Sequence, residues 1–500
     1  MILLLIACAT PTCQPPQSAP YVDGIPYLGV HGDAGNSDVI ACESASSFSP
    51  GWTALEGLAM TQPNTFSPDG SVLYATTSNP EPAGCRVHAL DARSGQVLWC
   101  RTEAPSVVNS AVEVDRDGAL YFTAGDELIA LRPDGQERWR LALPHGDPWG
   151  LHFTPTGRIA TVTSEGVVVL ASRDGQVLDT LDIPASWGFV APEPLELDVD
   201  LAALVPPEIL ADVETVWGPV DQATAKEGFS TFLGAGAFVD NTLGIDAGGD
   251  LYIIGGGPDP DTGALVQVRV DGDALSPGWA TLTDRGSATS PSIAGDFLVI
   301  GDGNSTQALL NPETARGGVK VIDIAACNAD VDAEPGLEQC GVAFEERVTR
   351  QPLPGSPAIA SDGTVYFYEM GLDWSAAPTD RDVVAFGPEG EIWSVALDDD
   401  LDWTSVITVT DNHLIGTASH VLPSGESLLG VAFPEVTDDY LVVLDRSTGG
   451  LVFRHAVPDD SAATVTIGPD GALYVGVLGM ISILSVEDRP DVGLMRFAPI

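Results

Sequence analysis

The sequence predicts an all-β fold: one β-propeller of eight four-stranded blades, with seven as the alternative count. Two recurring patterns and the composition carry this reading. The first pattern is a hairpin signature, Cys85-Arg-Val-His-Ala-Leu-Asp-Ala-Arg-Ser-Gly-Gln-Val-Leu-Trp-Cys100. Two short apolar runs flank a polar turn in which Gly95 can take positive φ. Weaker copies stand at residues 130–139, 385–393 and 443–453. The second pattern is a turn followed by a short apolar strand, usually with a tyrosine. It begins at Gly70, Gly118, Gly157, Gly249, Gly295, Gly363, Asn412 and Gly471, eight times in all. A hairpin cannot bury its apolar face alone, so recurring hairpins imply stacked units that share a core. The composition agrees: 54 Gly, 38 Pro and short runs of Val, Ile, Leu and Tyr favour strands and tight turns over helices.

Taken in chain order, residues 1–20 read as a remnant of a lipoprotein-type signal and a tether. Residues 21–59 read as an extension leading into the propeller, and residues 60–500 as the propeller itself. Leu5-Ile6-Ala7-Cys8 is similar to a bacterial lipobox, which makes Cys8 the expected lipidation site. The five large apolar residues at 2–6 are too few to span a bilayer, so attachment to a membrane is expected through lipid alone. The Pro-rich stretch 11–20 suits a tether.

Within the propeller, most repeat turns follow one another at intervals of 39 to 68 residues. The interval from Gly157 to Gly249 is 92 residues and holds a segment, 187–230, that breaks the pattern. It is expected to be an insertion on one rim. Pro206 and Pro207 open a short helical stretch there, with Ile209, Leu210, Val213 and Trp217 on one side.

Seven cysteines are present, and setting Cys8 aside leaves six. Cys85 and Cys100 flank one hairpin and should lie nearly opposite each other. Cys327 and Cys340 bracket an acidic loop, and Cys13 and Cys42 remain as a third pair. Six cysteines allow fifteen connectivities in principle. Disulfides require an oxidising compartment, so the cell envelope or exterior is expected. No Cys-x-x-Cys occurs, which argues against structural zinc.

The net charge of −50 arises from 71 acidic and 21 basic residues, with lysine only at Lys226 and Lys320. Such a surface repels phosphate backbones and anionic head groups, so nucleic acid is excluded as a partner.

The pattern Ala-x-Asp-x-x-Ser-Gly-x-x-x-Trp at residues 89–99 resembles the tryptophan-docking repeat of the pyrroloquinoline-quinone-like superfamily of propellers. The resemblance spans roughly residues 60–490. It implies that Trp99, Trp139 and Trp393 dock between neighbouring blades. That superfamily holds quinone-dependent dehydrogenases and also non-enzymatic lipoproteins of outer-membrane assembly. The dehydrogenases carry adjacent cysteines stacked on the cofactor and a Glu, Asn and Asp set on calcium. No two cysteines are adjacent here, and no such set is legible.

Other chemistry finds little support. Residues 113–118 resemble the start of a calcium loop, but its twelfth position is Ala124, so a turn is expected. No Gly-x-Ser-x-Gly elbow occurs, and the seven histidines show no ligand spacing. The expectation is a non-catalytic protein without cofactor, an envelope or outer-membrane lipoprotein. It would serve as a binding or scaffold module for proteins or glycans, as a monomer or within an assembly. A quinone- or metal-dependent oxidoreductase is the competing class.

Overall fold

The computed structural model describes residues 29–191, 237–302, 317–330, 347–349, 355–369, 382–397, 401–428, 431–477 and 493–500. Within these spans, residues 61, 78–83, 103–109, 145, 240, 261, 284–288, 460 and 462 are not described. Eight sheets stand in sequence order around a ring, which makes the protein an eight-bladed propeller.

The innermost strands are Thr65–Phe66, Glu113–Val114, Pro148–Phe153, Gly244–Ile245, Ser292–Ala294, Ala358–Ile359, Thr408–Val409 and Thr466–Ile467, for blades one to eight. Each pairs antiparallel with the next strand across one of the repeat turns seen in the sequence. Blade seven carries a fifth strand, Leu401–Trp403, on the same edge as Thr408–Val409. Its central strands, His413–Leu428 and Val431–Asp445, are the longest pair in the described fold.

The start of the propeller at residue 60 needs correction. Phe48–Ala54 is the outer strand of blade eight, paired with Gly493–Pro499. Blade eight therefore joins both ends of the chain, and their pairing closes the ring. It lacks only the outer hairpin of the repeat, because its third and fourth strands stand far apart in the chain. The rim insertion expected at 187–230 lies almost wholly outside the described residues, as does its helical stretch. The helix Ile183–Trp187, capped by the Asp182 side chain, leads toward it.

Hydrophobic clusters fill the spaces between adjacent blades. One joins Leu120, Phe122 and Ile129 of blade two to Tyr74, Val87 and Ala89 of blade one. Alternation explains this packing: successive residues of a strand face opposite neighbours, so both faces of each central strand are apolar.

Trp99, Trp139 and Trp393 each occupy the outer strand of one blade and reach the outer turn of the next. Their indole N–H groups donate to Pro133 O at 3.0 Å, Arg173 O at 2.9 Å and Arg446 O at 3.1 Å. The rings lie on Gly135, Gly175 and Gly449, and a Cβ on Gly135 would stand 2.9 Å from the Trp99 ring. Gly135 has φ of 79°, so glycine answers both the turn and the close approach. Trp99 is half-buried, not fully enclosed. A fourth member, Trp52, makes the same contact from blade eight, donating to Ala92 O at 3.3 Å and covering Gly95. The sequence reading missed it because Trp52 lies in the strand that closes the ring.

Candidate functional site

The structure concentrates buried polar chemistry on the propeller axis. An innermost strand has one edge bonded within its blade and the other turned to the central channel. Its free N–H groups need acceptors wherever water is excluded. Here the chain supplies them itself. Residues 29–42 thread the channel, and carbonyls of Ala34, Gly35, Ser37 and Asp38 accept from the N–H groups of Ile245, Ile293, Ile359 and Val409. The distances are 2.7, 2.6, 3.0 and 2.8 Å. The four donors occupy equivalent places, the second position of the innermost strands of blades four to seven. The segment thus winds past four consecutive blades. Val39 forms a bridge to Val409, and Ile40 donates to Val409 O before the chain leaves toward blade eight.

Side chains lock the segment from the blade two, three and five sides. Asn36 donates through Nδ2 to Leu243 O at 2.9 Å and Pro291 O at 3.1 Å. Its Oδ1 therefore accepts from His152 Nε2, at 2.8 Å. His152 Nδ1 faces Glu113 Oε1 at 2.8 Å. Burial pushes His152 down to about 3 and Glu113 well above the usual carboxylate range. With Nε2 carrying a proton toward Asn36, the pair holds one further proton between Nδ1 and the carboxyl.

A second pair repeats the arrangement. Ser290 donates to Asn241 Oδ1 at 2.8 Å, so its oxygen accepts from His31 Nε2 at 3.2 Å. His31 Nδ1 faces Asp38 Oδ2 at 2.9 Å. Burial raises Asp38, and the neighbouring His31 opposes the rise. Asp33, also raised by burial, accepts from Ser37 N and Ser37 Oγ. Asn36 has φ of 54° and Asp38 of 55°, left-handed conformations that Asn and Asp tolerate best among side-chain-bearing residues.

Several of these residues escaped the sequence reading. The histidines at 31 and 152 lie 121 positions apart, with no shared spacing, and only ring closure brings them to one axis. Glu113 stood inside a segment read as a turn. The turn is real, with Asp115 Oδ1 accepting from Asp117 N and Ala119 N, but Glu113 precedes it and points into the channel cluster. His88 is a satisfied strand residue: its Nε2 meets Thr77 Oγ1 at 2.9 Å, and burial pushes it down to about 4.

The cysteines are placed as follows. Cys85 and Cys100 form a disulfide across the blade-one hairpin, with Cα atoms 5.7 Å apart. Cys42 and Cys327 are each disulfide-bonded, while Cys8, Cys13 and Cys340 lie outside the described residues.

Fold and axis together define a class: an eight-bladed propeller, related to the pyrroloquinoline-quinone-like and BamB-type folds, whose channel is filled by its own N-terminal segment. Residues 55–205 match the family model described as outer membrane protein assembly factor BamB. Among solved structures, the chain is similar to the quinohemoprotein alcohol dehydrogenase of Comamonas testosteroni, with 13% identity and a TM-score of 0.56, covering 96% of this chain and 81% of that one. A quinohemoprotein alcohol dehydrogenase of Pseudomonas putida HK5 has 12% identity and a TM-score of 0.54, covering 95% and 80%. The computationally designed Ika8 protein has 11% identity and a TM-score of 0.53, covering 90% and 98%. At these identities the likeness is one of fold. Comparison with curated proteins finds no match.

The two dehydrogenases raise the question of a quinone, and the described residues on the axis do not fit one. Backbone of residues 29–42 fills the channel where a ring of blades would leave room for a cofactor. The chain has no adjacent cysteines to stack on the ring system. Among the described residues, no group of three or more His, Cys, Asp or Glu is arranged to hold a metal ion.

Proposed function

We propose that this protein is a non-catalytic binding or scaffold module of the bacterial cell envelope. It is held at the membrane by lipid on Cys8 and offers its rims to a protein or glycan partner. The filled axis is the observation that supports this reading most. A channel occupied by the chain's own backbone leaves the rims and outer strands as the surfaces on which a partner can dock. The match of residues 55–205 to a family described as an outer-membrane assembly factor supports the location. The test is cross-linking of the full chain in its native envelope followed by identification of the captured species. Recovery of one stoichiometric partner supports the reading. Capture of nothing beyond what a scrambled-surface control captures refutes it.

A second reading, a quinone- or metal-dependent oxidoreductase, is favoured by the two dehydrogenases of similar fold. Titration of the full chain with quinone and calcium, followed by absorbance, separates the two. A saturable one-to-one spectral change would establish the oxidoreductase reading and overturn the scaffold.

A further inference from the structure

Away from the axis, one buried basic side chain stands without a carboxylate among the described residues. Arg86 is 9% exposed and is the one buried Arg or Lys among the described residues. Its Nε is buried and makes no hydrogen bond. Arg101, Arg138, Arg140, Arg158, Arg173 and Arg496 all reach a carboxylate at 3.9 Å or less. Arg86 has no such partner among the described residues, in a chain with 71 acidic and 21 basic residues. A guanidinium edge buried without a partner is unfavourable, whereas the same edge paired with a carboxylate is not.

The surroundings hold the group in place without neutralising it. Arg86 N donates to Arg101 O at 2.8 Å, and Arg86 O accepts from Thr77 N at 2.9 Å. The backbone is therefore clamped inside the blade-one sheet, beside the Cys85–Cys100 bridge. His88, two residues along and so on the same face of the strand, already has Thr77 as a partner. Burial keeps His88 uncharged near neutral pH, and burial alone draws Arg86 below the usual arginine range. Of the described groups on this face of the strand, Arg86 thus carries the positive charge. A planar fork of donors matches a carboxylate edge-on. The overall charge of −50 disfavours polyanions and leaves a singly charged carboxylate as the fitting ligand.

We propose that Arg86 is the anchor of a carboxylate-binding site at the disulfide-bridged end of blade one, taking the carboxylate of a peptide terminus or a small organic acid.

The test uses the full chain at constant ionic strength, with N-acetylglycine, acetate and the neutral N-acetylglycinamide as probes. A ligand that binds only the folded state raises the denaturation midpoint with its concentration. The midpoint should rise with N-acetylglycine, stay unchanged with the amide, and lose the response entirely in Arg86→Gln. An equal response to acetate assigns the site to small acids, and a response to N-acetylglycine alone assigns it to peptide termini. No response of the wild type, or an equal response of Arg86→Gln, overturns the site. Should Arg86→Gln fail to fold, the Nε–H resonance of Arg86 in arginine-labelled wild type decides between the outcomes. It should shift with N-acetylglycine and not with the amide, and an unmoved resonance overturns the site.

Discussion

Replacing Asn36 by Ala should unseat the axial segment at a large cost to the whole ring. The Asn36 side chain serves three buried partners: Leu243 O, Pro291 O and His152 Nε2. Alanine removes all three bonds, leaving His152 Nε2 and Leu243 O only the longer contacts to Thr242 Oγ1 at 3.5 and 3.4 Å, and a buried orphan costs about 1–3 kcal/mol. Position 36 also has φ of 54°, where alanine is strained by about 1–2 kcal/mol. Because the partners share one network, the terms do not add in full, and a loss of about 4–6 kcal/mol is expected. Asn36→Gly removes the same bonds without the strain, so it should lie about 1–2 kcal/mol above the alanine variant. Urea titration measures both, with Arg93→Ala in an exposed turn as the control, expected within about 0.5 kcal/mol of wild type. Hydrogen exchange supplies the local reading. The amides of Ile245, Ile293, Ile359 and Val409 should lose protection together, since their acceptors lie on the segment that Asn36 holds. A loss below about 1 kcal/mol with those amides still protected would refute the seating role.

The other predictions concern the blades. Trp99→Ala removes a half-buried indole and its bond to Pro133 O, and should cost about 2–3 kcal/mol by denaturant titration, less than for a fully enclosed tryptophan. A cost equal to that of Arg93→Ala would mean that blade docking does not depend on it. Replacing Cys85 and Cys100 together by Ser opens a loop of 15 residues and should lower stability by about 3 kcal/mol in thermal or chemical unfolding. An unchanged midpoint contradicts this. Asp439 is buried, accepts from Ser419 Oγ, and is pushed up to about 7, chiefly by burial and then by Asp459 and Asp438. Its folded value lies above its unfolded one, so its contribution is complete below about pH 4 and fades as pH rises through 7. The loss is on the order of 4 kcal/mol, and Asp439→Asn should flatten the slope between about pH 4 and 7. A slope of the same size in the variant would assign it to other groups.

The fold was legible because a propeller repeats its local chemistry. Each blade needs its own innermost turn and central strands, so the pattern at Gly70 and its successors appears eight times. Trp99, Trp139 and Trp393 were legible for the same reason, since each sits three or four residues after a turn glycine. Trp52 was not, because its partner strand comes from the far end of the chain. The axial cluster was illegible throughout. Its members come from the N-terminal segment and the starts of several blades, and no spacing rule links His31 to Ser290 or Asn36 to His152.

The sequence alone determined the all-β class and the net acidity and favoured eight blades over seven, because alternation, turn chemistry and net charge are local or summed properties that need no knowledge of neighbours. Only the tertiary structure decided that the N-terminal segment fills the channel, that Phe48–Ala54 closes blade eight, and that Arg86 is buried without a carboxylate. Those features depend on which distant groups meet once the ring closes. Closing the ring brings eight innermost strands to one axis and leaves their free N–H groups to be satisfied by whatever segment reaches them.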